Sequence, residues 1–116
     1  MSEERRLKLI SYCEGLEFKQ TTDGQPGSEG YWVLHRGSDM FVLIKPGGTM
    51  YPHVDTTFHH DKIRLHHVLL TNDKALNYVG DEVFNLSLGG IYELEAAKTH
   101  WADNQGDTDR LHYVLF

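Results

Sequence analysis

His53, Asp55, His100 and Arg110 are the residues of this chain whose types and spacing can do chemistry together. His53-Val-Asp55 puts an imidazole and a carboxylate two positions apart, and in an extended strand alternate side chains point to one face, so both can reach one ion. His100 offers a second imidazole. Two imidazoles and one carboxylate form the facial triad that leaves coordination positions open on non-haem Fe(II). Arg110 follows His100 after the turn Asn104-Gln-Gly-Asp107. A return strand brings it back toward the metal, where a guanidinium can grip a carboxylate with two hydrogen bonds.

Pro52-His-Val-Asp55, then Arg64-Leu-His66, then His100 and Arg110 ahead of a β-rich close together resemble the core of the aspartyl/asparaginyl β-hydroxylase-like branch of the 2-oxoglutarate- and Fe(II)-dependent oxygenases, over residues 41–116. The resemblance implies that His53 and His100 bind iron and that Arg110 pairs with the distal carboxylate of 2-oxoglutarate. It also implies that the Arg-x-His element, Arg64 and His66 here, faces the same cosubstrate. Period-2 geometry agrees, since Arg64, His66 and Val68 share one strand face, as do Arg110, His112 and Val114. Some members of the branch have no carboxylate after the first histidine, whereas Asp55 supplies one here, as in the amino-acid-hydroxylating members. The function implied is a dioxygenase that hydroxylates an amino acid, free or in a peptide or protein, with Fe(II) as metal, 2-oxoglutarate as cosubstrate and dioxygen as oxidant.

Each of these residues also has a plainer reading. His53, Asp55 and His100 could be unrelated polar groups at strand ends. Arg110 could pair with Asp107 or Asp109, and Arg64 and His66 could be cross-strand partners. His59, His60, His67 and His112 have no distinguishing context and read as solvated or locally hydrogen-bonded; His59-His60 could also lie over the site as a lid. Typical oxygenases of this superfamily add helices and strands that build the substrate pocket, and this chain has little beyond the barrel. The rival functions are therefore a non-catalytic barrel that binds a metal or a small carboxylate, and a cupin-type metalloenzyme that does not use 2-oxoglutarate. Against the second, cupins usually place another His two residues after the first, where Asp55 stands.

The elements that must position these side chains are mostly short strands. β-rich runs over residues 31–35, 41–45, 50–55, 63–70, 76–79, 83–86, 91–94 and 110–116 are separated by turn residues such as Pro46-Gly-Gly48, Gly80-Asp81 and Gly89-Gly90. No crossover helix lies between them, so the strands are expected to be antiparallel. Ahead of them, residues 3–13 read as a helix capped by Ser2, with Glu3 and Glu4 at its positive end and Leu7, Ile10 and Cys13 on one face. Residues 21–30 have loop chemistry. The fold class expected is mostly β: a double-stranded β-helix, or jelly-roll, with a short N-terminal helix.

A chain of 116 residues suits a single domain, taken as 1–116. With 11 Lys+Arg against 17 Asp+Glu the net charge is -6, which disfavours non-specific binding to nucleic acid or anionic lipid. A lone cysteine permits no intrachain disulfide, and no apolar run approaches a membrane span, so a cytoplasmic location is expected. A small barrel with exposed edges can pair with a second copy.

Overall fold

The computed structural model describes residues 1–14, 16, 18–20, 30–54, 64–95 and 97–115. Helix α1 spans Glu3–Cys13, and Ser2 caps it by accepting the Arg5 backbone N–H on Oγ at 3.1 Å. Leu9 and Cys13 are buried, with Ile10 packed beside them. Leu7, expected on the packed face, is 50% exposed. Arg6 takes that position instead: its side chain is largely covered, and its guanidinium donates to the Leu69 carbonyl at 3.0 Å. A long side chain can cover apolar surface with its stem while its head finds an acceptor.

Among the described residues ten strands follow: β1 (Lys19–Gln20), β2 (Tyr31–Arg36), β3 (Asp39–Ile44), β4 (Thr49–His53), β5 (Arg64–Leu70), β6 (Ala75–Val79), β7 (Glu82–Phe84), β8 (Ile91–Leu94), β9 (His100–Asn104) and β10 (Arg110–Leu115). They form two sheets, ordered β1-β2-β3-β10-β5-β8 and β4-β9-β6-β7, with every pairing antiparallel. Two facing antiparallel sheets with non-consecutive neighbours are jelly-roll architecture.

Strand β10 is the spine of the larger sheet, and its first five residues are all buried. Leu111 and Tyr113 point to the outer face, where they join Leu9, Cys13, Phe41 and Leu69 in an apolar cluster beneath α1. The alternate residues Arg110, His112 and Val114 therefore point between the sheets. The space between the sheets is lined by polar as well as apolar groups, and that is where chemistry can be done.

Two turns hold the strand ends in place. After β3, Gly47 turns the chain at φ +79 and donates its N–H to the Asn104 carbonyl at 2.7 Å. Between β9 and β10, the buried Asn104 amide donates to the carbonyls of Ile44 (2.9 Å) and Thr108 (2.8 Å) and accepts from Asn72 at 3.1 Å. This amide network fixes the turn that delivers Arg110.

Candidate metal and carboxylate site

His53 closes β4 and His100 opens β9, and the antiparallel register sets them directly opposite each other. Their ring centroids are 4.3 Å apart. Each ring is oriented in the same way: His53 Nδ1 lies 2.9 Å from the Tyr51 carbonyl and His100 Nδ1 lies 2.8 Å from the Lys98 carbonyl. A carbonyl oxygen can only accept, so Nδ1 carries a hydrogen in both rings, and in the neutral imidazole the lone pair is then on Nε2. This is the arrangement by which an outer-shell oxygen prepares an imidazole for metal ligation.

Asp55, the expected carboxylate ligand, lies outside the described residues, as do His59 and His60, the pair that could lie over the site as a lid. Among the described residues no group of three or more His, Cys, Asp or Glu side chains is arranged to hold a metal. The described part of the donor set is thus two imidazoles. Their Nε2 chemistry fits a borderline metal such as Fe(II).

Arg110 opens β10 and is 3% exposed. Its Nη2 donates to Asn77 Oδ1 of β6 at 2.6 Å, a bond that crosses from one sheet to the other. Burial pulls its pKa down to about 10, against the influence of Tyr31, which leaves the guanidinium charged at neutral pH. It does not pair with Asp109, whose carboxylate takes Lys45 at 3.3 Å.

Arg64 and His66 occupy one face of β5, both partly buried. His66 Nδ1 lies 3.1 Å from Nδ1 of His112 on the neighbouring β10, the two rings meeting edge to face. Burial pushes both imidazoles well below their ordinary pKa. The positive charge of Arg110 adds to this at both rings, and Arg64, His100 and His67 add to it at His66. Both rings are therefore neutral at physiological pH. The electrostatic neighbours that lower the His66 pKa include both arginines and one of the two opposed histidines, which ties the four groups to one region.

Residue types alone do not single out His112: of the two readings, solvated or locally hydrogen-bonded, the second holds, for it is 1% exposed and meets His66. A signal was present: Arg-Leu-His occurs at 64–66 and again at 110–112, on strands that prove to be neighbours. His67 is also buried, but on the opposite face of β5, beside Tyr113.

Comparison with solved structures defines the class. A sugar phosphate isomerase of the cupin superfamily from Silicibacter pomeroyi is 15% identical, with 87% of this chain and 70% of that chain covered at a TM-score of 0.65. Drosophila melanogaster CENP-C, solved bound to CAL1, is 13% identical with 98% of each chain covered at a TM-score of 0.64. A protein described as a predicted oxalate decarboxylase from Thermotoga maritima is 16% identical, with 66% of this chain covered at a TM-score of 0.53; this chain spans 61% of its length. These likenesses establish a cupin-type jelly-roll fold. Within that class the aspartyl/asparaginyl beta-hydroxylase family matches residues 28–116, and the chain belongs to it.

Proposed function

We propose that this protein is a 2-oxoglutarate- and Fe(II)-dependent dioxygenase that hydroxylates an amino acid, free or within a peptide or protein, and that residues 1–116 act as one oxygenase domain. The observation that carries the reading is the opposition of His53 and His100, each with Nδ1 committed to a carbonyl, with His100 acting on His66 together with Arg64 and Arg110. His53, Asp55 and His100 would hold the iron. Arg110 would receive the distal carboxylate of 2-oxoglutarate, with Arg64 and His66 beside it. When bound, iron, 2-oxoglutarate and dioxygen supply the oxidising power for C–H hydroxylation, with succinate and carbon dioxide as co-products.

The chain's own part is to bind and orient. The Tyr51 and Lys98 carbonyls fix the orientation of both rings, so that Nε2 is the nitrogen that would meet a metal. Asn77 holds the Arg110 guanidinium at a fixed height between the sheets, so little side-chain freedom is lost when a carboxylate arrives. The neutral His66–His112 pair adds polarity without a charge that would compete for the anion.

A second reading is a cupin-like protein that binds a metal or a small carboxylate without turnover. Release of labelled carbon dioxide from 1-[14C]-2-oxoglutarate, with Fe(II) and ascorbate, separates the two. The oxygenase reading expects slow release by the wild type that is abolished in His53→Ala. Binding of 2-oxoglutarate with no release under any condition would favour the second reading.

A further inference from the structure

The interior pair His66–His112 can be resolved into donor and acceptor. With Nδ1 facing Nδ1 at 3.1 Å, one nitrogen carries the hydrogen and the other the lone pair. If His66 donates, His112 must carry its own hydrogen on Nε2. That atom is buried and has no hydrogen-bond partner among the described residues. If His112 donates, the same atom carries only a lone pair. Among backbone groups, orphaned buried N–H donors are rarer in folded proteins than under-satisfied acceptors. The same preference applied to the His112 ring favours His112 as the donor, which leaves the hydrogen of His66 on Nε2.

We propose that His112 is a positioning residue: by donating Nδ1–H to His66 Nδ1 it locks His66 as the Nε2–H tautomer, so that His66 joins Arg64 and Arg110 as a hydrogen-bond donor to a bound carboxylate. The inference rests on the carboxylate-binding reading given above. It assigns His66 a fixed donor role that the imidazole would not hold alone, since a neutral histidine in water exchanges between tautomers. The repeated Arg-Leu-His on adjacent antiparallel strands supplies both halves of the device, the second histidine serving the first.

The test uses the full chain loaded with Zn(II), a diamagnetic stand-in for iron, and 15N–1H spectra that read which ring nitrogen of His66 is protonated. Calorimetry on the same samples measures the affinity for 2-oxoglutarate. His112→Asn keeps a donor where Nδ1 stood; His112→Leu removes it. Wild type and His112→Asn should show His66 protonated on Nε2 and bind 2-oxoglutarate within about threefold of each other. In His112→Leu the tautomers should mix and the affinity fall about tenfold. A His66 protonated on Nδ1 in the wild type, or a tautomer and affinity unchanged in His112→Leu, overturns the proposal while leaving 2-oxoglutarate binding intact. Absence of 2-oxoglutarate binding by the wild type, with His66 still protonated on Nε2, refutes instead the carboxylate reading and with it the role given to that donor.

Discussion

Arg110 and Asn77 join the two sheets through one short hydrogen bond, 2.6 Å from Nη2 to Oδ1, in a part of the molecule where both residues are almost fully buried. A buried charge held this way depends on its acceptor: the pair contributes modestly, while removing one member leaves the other stranded. Asn77→Ala should destabilise the fold by about 2 kcal/mol in urea unfolding. A loss below about 0.5 kcal/mol would mean that the guanidinium finds other partners and that Asn77 does not hold it.

The two inward histidines predict how stability depends on pH. Both have folded pKa values well below 6.5, with burial as the leading cause and Arg110 next. Below about pH 6.5 the unfolded chain therefore binds protons that the folded chain does not, so their full contribution is present above that pH and declines as pH falls. For His112 alone the slope reaches about 1.4 kcal/mol per pH unit. Urea unfolding at several pH values between 7.5 and 5 should show this decline, and His112→Leu should flatten it. Parallel declines in the two proteins would assign the effect to other groups.

Most of the strand pattern could be read from the sequence: β2 to β8 and β10 fall within a residue or two of their expected bounds, and α1 matches at both ends. Strand β9, which carries His100, is absent from the runs that the sequence marks as β-rich. Its inward residues are His100, Ala102 and Asn104, while the aromatic Trp101 stacks on Tyr78 on the other face at 4.8 Å. The hydrophobic signal is thus reversed where the interior is polar, and the same inversion hid His112. The opposition of His53 and His100 is a matter of register between strands 47 residues apart, and no local pattern encodes it. What could be read was the set of residue types that chemistry requires.

Cys13 sits under the helix in the outer apolar cluster, and burial pushes its thiol up to about 11. At neutral pH very little thiolate forms, and access is blocked as well. Labelling with Ellman's reagent at pH 7.5 should be at least about 100-fold slower in the folded protein than in urea. Rapid labelling of the folded chain would show that α1 opens readily from the sheet.

The turn that delivers Arg110 leaves no room for a side chain at Gly106, where a Cβ would collide with the amide of Asn72. That amide also donates to Thr108 and Asn104, so it cannot move aside without breaking the network. Gly106→Ala should cost about 2 kcal/mol of stability. It should also weaken carboxylate binding by shifting the start of β10. A variant as stable as the wild type would show that the turn adapts.

The central claim is that the opposed histidines and the buried arginine serve one metal–cosubstrate complex. Its most direct test is anaerobic addition of Fe(II) and then 2-oxoglutarate to metal-free protein, following the visible charge-transfer band of the iron chelate in wild type, His53→Ala and Arg110→Lys. The band should appear in the wild type only when both are present, vanish in His53→Ala, and require at least about tenfold more 2-oxoglutarate in Arg110→Lys. Iron binding with no band in the wild type, or a band that forms equally well in all three proteins, would contradict it.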